Sequence, residues 1–144
     1  LHWHWILRRI HRRPYLRSSM KQANQFLTLC AKRRVRVEYV SNEYDCTASR
    51  SIRRIRILPL INKRNLILAY HELMHVIGKR CELRLEEELR SWQLAYKYCP
   101  FNSALFNRVA AECLISYEEW ADKRFTRTIA WKKAIVKCRA VISW

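Results

Sequence analysis

The spacing of apolar residues changes several times along the chain, and each change marks an element. Between about residues 18 and 33, Met20, Phe26, Leu27, Leu29 and Cys30 recur at helical intervals, which predicts a helix. The period then shortens. Val35, Val37 and Tyr39 alternate with Arg36 and Glu38, and Ile52, Ile55, Ile57 and Leu58 lie among arginines. Both runs predict strands around a polar loop at 41–51, and Pro59 ends the second or marks it as an edge. After Asn62 or Asn65, either of which can cap, Leu66, Ile67, Leu68, Ala69, Leu73, Val76 and Ile77 predict a helix that ends at Gly78. Gly78 is the one glycine of the chain and stands where a helix exit commonly turns left-handed. A further helix is predicted from about 83 to 99, stopped by Pro100, with Leu85, Leu89, Trp92, Tyr96 and Cys99 on its buried face. Another starts near Asn102 or Ser103 and carries Leu105, Val109, Cys113 and Leu114 to about residue 120. The tail 123–144 predicts a basic amphipathic helix with Trp131, Ile135 and Val136 on its apolar side. The expected class is α+β, mainly helical, with a small antiparallel sheet.

Composition narrows this picture. A chain of 144 residues, half of them hydrophobic, suits one compact domain. One glycine and three prolines disfavour a hairpin-rich all-β fold. No apolar run reaches the roughly 18–20 residues of a bilayer span, so a membrane-crossing segment is not expected. Six cysteines without a CxxC pair suggest neither a zinc ribbon nor a redox motif, and reduced, buried thiols are expected.

Charge adds a partner class. Lys and Arg number 29 against 12 Asp and Glu, a formal +17, which favours nucleic acid, anionic lipid or an acidic partner. Residues 1–37 hold no acid, a composition shared by nucleic-acid-binding arms and organelle transit peptides. Arg8, Arg9, Arg12, Arg13, Lys32, Arg33 and Arg34 are the candidate phosphate contacts, while His2, Trp3, His4 and Trp5 can stack on bases, bind metal or anchor in a groove. The expected organisation is a basic arm over 1–34, a core over 35–122 and a basic C-terminal helix over 123–144 packed on that core.

The most specific chemistry lies in His71-Glu72-Leu73-Met74-His75. Histidines four apart share one helix face, so both imidazoles can reach one Zn²⁺, and Glu72, beside the first, can take a proton from an activated water. This is the zincin arrangement. A third ligand is needed, and the following helix offers Glu86, Glu87 and Glu88. Glu88 lies at the edge of the buried face and is the favoured choice; Glu86, Glu87 and the thiol of Cys81 are alternatives, and pairing of the acids with Arg84 or Arg90 is the ordinary structural reading. An oxyanion stabiliser is also expected, with Tyr39, Tyr44 and Tyr70 nearest in sequence.

The stretch from about 35 to 99 resembles the ImmA/IrrE-type zincin metallopeptidases. The likeness rests on Arg-Ile-Leu-Pro at 56–59, on the helix from Ala69 to Gly78, and on Glu88-x-x-Ser91-Trp92-x-x-Ala95, where the family has Glu-x-x-Ala-Trp-x-x-Ala. The resemblance implies a zincin-like core, His71, His75 and Glu88 as zinc ligands, and Glu72 as catalytic acid/base. Members are often encoded by phages or mobile elements, and some cleave repressor proteins. The expected function is therefore a zinc-dependent endopeptidase acting on a protein or peptide, located inside the cell, in a virion or in a mitochondrial matrix. The alternative is a basic structural component of a virion or ribonucleoprotein, such as an organellar ribosome, that binds nucleic acid.

Overall fold

The computed structural model describes residues 14–100 and 103–122. Four helices and a three-stranded sheet follow in the order α1 (Pro14–Lys32), β1 (Arg36–Tyr39), β2 (Thr47–Ser49), β3 (Arg54–Ile57), α2 (Lys63–Ile77), α3 (Arg84–Tyr98) and α4 (Ser103–Asp122). The class is α+β and mostly helical. Residues 1–13 of the expected arm over 1–34, the cap at Asn102 and the C-terminal helix over 123–144 lie outside the described residues. Among the described residues no helix is long and apolar enough to cross a membrane.

The centre of the fold is α2. Nine of its residues are buried, among them Leu66, Ile67, Leu73 and Met74, so apolar groups surround it on almost every side. The Asn62 side chain accepts from the Asn65 backbone N–H at 2.8 Å, which fixes Asn62 as the cap and leaves Asn65 to donate its side-chain amide to the Pro59 carbonyl. Ile55 and Ile57 of β3, Leu85, Leu89, Trp92 and Ala95 of α3, Phe106, Val109 and Leu114 of α4, and Phe26 and Cys30 of α1 complete one core.

The sheet is mixed, where an antiparallel one was expected. Its order is β1-β3-β2: β1 runs parallel to β3 with Val37 opposite Ile55, and β2 runs antiparallel to β3 with Ala48 opposite Ile55. The polar loop hides the third strand. Thr47, Ala48 and Ser49 are too few and too polar to show alternation, yet they form the hairpin with β3 and displace β1 to its other edge. Ile52, expected in a strand, falls in the turn and is 49% exposed.

Gly78 also departs from expectation, because its φ is −78° and the exit of α2 is not left-handed. Space explains the glycine. A Cβ at Gly78 would sit 2.7 Å from the Met74 carbonyl oxygen and 3.1 Å from a Leu94 methyl of α3, so the residue sets how closely α3 passes. The left-handed helix exit belongs instead to Arg34 (φ 56°) after α1. There Val35 N–H donates to Cys30 O and Arg34 N–H to Ala31 O, with Val35 and Cys30 both buried beneath the turn. These two positions predict opposite outcomes in urea unfolding. Gly78→Ala should destabilise by about 1–3 kcal/mol through overpacking, whereas Arg34→Gly should stabilise by up to about 1 kcal/mol by relieving the positive φ.

Candidate metal centre

The helical period sets His71 and His75 one turn apart on α2, facing α3. On α3, Leu85, Leu89 and Trp92 point into the core, and Glu88 between them is carried to the edge of that contact. Its two oxygens meet the two histidines: Oε2 lies 3.0 Å from His71 Nε2 and Oε1 lies 2.9 Å from His75 Nε2, while the two Nε2 atoms are 3.1 Å apart. Among the described residues these three form a group able to hold a metal ion, with ligand atoms all within 4.8 Å of one another. A tetrahedral ion with arms of about 2.0–2.1 Å spaces its ligands about 3.3–3.4 Å apart, so the observed gaps are within a few tenths of an ångström of that cage.

The supports of each ligand differ. His71 is buried and stacks flat on Trp92, with ring centroids 4.0 Å apart and an interplanar angle of 15°. Its Nδ1 is buried without a hydrogen-bond partner among the described residues, so the Trp92 ring orients it. The Nδ1 of His75 lies 3.3 Å from Ser91 Oγ. Arg50, in the turn after β2, donates to the His75 carbonyl at 2.9 and 3.2 Å and to Glu87 Oε1 at 2.6 Å. One guanidinium thus ties the end of α2 to the start of α3.

The electrostatics follow from this packing. Burial raises the Glu88 carboxyl, but the two histidines together outweigh it and hold the group well below the usual carboxylate range. Burial opposes a charge on His75, and the hydrogen bond it donates to Glu88, together with the neighbouring carboxylates, overcomes it, so its pKa is raised. Glu72 is lifted by desolvation, an effect His71 and His75 only partly reverse. Glu72, His75 and Glu88 all open onto a cleft of about 730 Å³ whose other walls include Ser49, Arg50, Arg80 and Arg84.

Each sequence-derived candidate can now be placed. His71, His75 and Glu88 converge, and Glu72 shares their cleft. Glu87 is held by Arg50, and Glu86 and Cys81, both half-buried, lie outside the three-ligand group. None of the three tyrosines lines the cleft: Tyr70 packs edge-on against Phe26 in the core, Tyr44 is 94% exposed, and Tyr39 belongs to β1 on the far edge of the sheet. Cys30, Cys46, Cys81, Cys99 and Cys113 are free thiols. Lys32, Arg33 and Arg34 are exposed at the end of α1; Arg8, Arg9, Arg12 and Arg13 lie outside the described residues, as do His2, Trp3, His4 and Trp5. Arg50 was missed, because it sits in a polar turn with no periodicity to mark it, and Ser91 was noted only as the residue standing for Ala in the Glu88-x-x-Ser91-Trp92 pattern, with no role given to its hydroxyl.

Compared with known protein families, curated proteins and solved structures, the chain matches none. The centre is therefore judged on its own geometry. That geometry predicts that Cys81 is alkylated at the same rate with and without added zinc, as measured by mass spectrometry at pH 8. Cys30, whose thiol burial pushes up to about 12, should react far more slowly.

Proposed function

We propose that the chain is a zinc-dependent metallopeptidase that cleaves a protein or peptide in the cleft between β2 and the α2–α3 pair. The observation that carries this reading is the convergence of His71, His75 and Glu88 with a desolvated Glu72 beside them. Two imidazoles and one carboxylate are the donor set of catalytic rather than structural zinc sites. His71, His75 and Glu88 would hold the Zn²⁺, which would supply a Lewis acid and would lower the pKa of water toward neutrality. Glu72, its own pKa raised by burial, accepts the proton of the attacking water and passes it to the leaving amine. Ser91 and Trp92 hold the two imidazoles in their orientations, and Arg50 keeps the end of α2 against α3.

Elemental analysis of the full chain purified without chelators should give one zinc per chain; iron in its place, or no metal, would overturn the proposal. Glu72→Gln should keep the zinc and lower peptide cleavage by about 10²–10⁴-fold. Glu88→Ala should lose the zinc. In thermal melts, zinc at a hundred times its Kd should stabilise the wild type by about 2.7 kcal/mol and leave His71→Ala unchanged.

A second reading concerns the corner where α1, β1 and β3 meet, where the fold gathers more arginines than the sequence run suggests. Arg36 sits opposite Arg54 in the β1–β3 register, Arg36 N–H donates to Arg53 O, and the Arg53 guanidinium donates to Arg33 O. Glu38 answers Arg54 and Arg56, leaving Lys32, Arg33, Arg34, Arg36 and Arg53 as a cationic corner suited to a phosphate backbone. Duplex affinity should fall steeply with salt. In Arg36→Gln and Arg53→Gln the slope of log K against log salt should shrink by about 1 each.

A further inference from the structure

Of the three acids at the head of α3, Glu87 and Glu88 stand three and four residues after Arg84, spacings at which helical ion pairs form. The fold directs those acids elsewhere. Glu87 goes to Arg50 at 2.6 Å, and Glu88 goes to the two histidines. Arg84 is left exposed on the cleft wall with no hydrogen bond or ion pair among the described residues, and so is Arg80, from the α2–α3 connection, on the same wall. Counting the charges that face this cleft, Arg50 and Glu87 neutralise each other. Glu88 is engaged by the histidines, and Glu72 is the one acid of the cleft that remains to face Arg80 and Arg84. The two cations without partners thus stand beside the candidate centre, over a cleft rather than on open surface.

We infer that the cleft selects peptides bearing acidic side chains next to the bond held at the centre, with Arg80 and Arg84 as the residues that read those carboxylates. The inference rests on the peptidase reading for the fate of the peptide but not for its binding. Guanidinium groups suit this role, because each offers a planar fork that a carboxylate can engage with two parallel hydrogen bonds, and partial enclosure by the cleft walls strengthens such pairs over those in open water. Neutral or basic side chains at the same place would leave the two guanidiniums unanswered.

The test is a binding measurement that needs no turnover. The blocked peptide Ala-Ala-Asp-Leu-Asp-Ala-Ala and its Asn counterpart, each carrying a fluorophore, are titrated with the full-length Glu72→Gln chain, both zinc-loaded and chelator-treated, and followed by anisotropy. The Asp peptide should bind roughly tenfold or more tightly than the Asn peptide. Arg80→Gln/Arg84→Gln should abolish that preference, and Arg80→Glu/Arg84→Glu should turn it toward a Lys-containing peptide. Arg33→Gln/Arg34→Gln, at residues that do not line the cleft, should leave it intact and so serves as the control for overall charge. Equal binding of the Asp and Asn peptides, or a preference that survives Arg80→Gln/Arg84→Gln, would overturn the inference. A preference that vanishes only in Arg80→Gln/Arg84→Gln sustains it even should the wild type prove unable to cleave, so the two proposals fail separately.

Discussion

One mostly buried polar contact sets the relation of the two central helices, the Glu88 carboxylate enclosed by the His71 and His75 imidazoles where α2 packs on α3. Taking such groups out of water is expensive, and hydrophobic side chains of similar size would hold the two helices together at least as well. The arrangement survives because both carboxylate oxygens are matched, one to each ring, and because the helices are fixed on either side of it. Arg50 ties their ends together, and the missing side chain at Gly78 lets α3 approach α2 closely. The contact is one that packing alone does not require, and it brings three groups able to hold a metal ion into an interface that is otherwise mostly apolar.

How much of this could be read in advance depended on how local the determining physics was. The histidine pair was legible because helical geometry alone places residues 71 and 75 on one face. Glu88 was legible because the apolar spacing of α3 defines a buried side and hence its edge. Gly78 was placed correctly at the end of α2 but given the wrong reason, since a neighbouring helix and not a backbone angle demands it. The reverse happened at Arg34, where burial of Val35 and the hydrogen bonds around the turn impose a left-handed angle on a residue with no preference for it. The mixed sheet escaped because its pairing is decided by a short polar strand, and Arg50 escaped because its partners are 25 and 37 residues away.

The charge excess acquires a meaning from the fold that composition could not give it. Five of the acids, Glu38, Glu43, Glu87, Glu88 and Glu112, are committed to internal partners. The remaining cations are therefore not evenly diluted but left in particular places. One lies at the junction of α1, β1 and β3, and another beside the candidate centre. Two different anions could thus be drawn to the same small molecule without competing for the same residues.

The three convergent side chains all belong to a single stretch, residues 71 to 88, closely similar in length to the excursion of chain that sets Arg36 of β1 opposite Arg54 of β3. Closing so short a loop carries little entropic penalty, so a helical hairpin of α2 and α3 can form from its own stretch of chain, as β2 and β3 can from theirs. An ion gripped by that hairpin would act as a clasp on the nascent chain, whatever the register of the strands. Metal supply would then govern not only what the finished molecule does but how readily it is made.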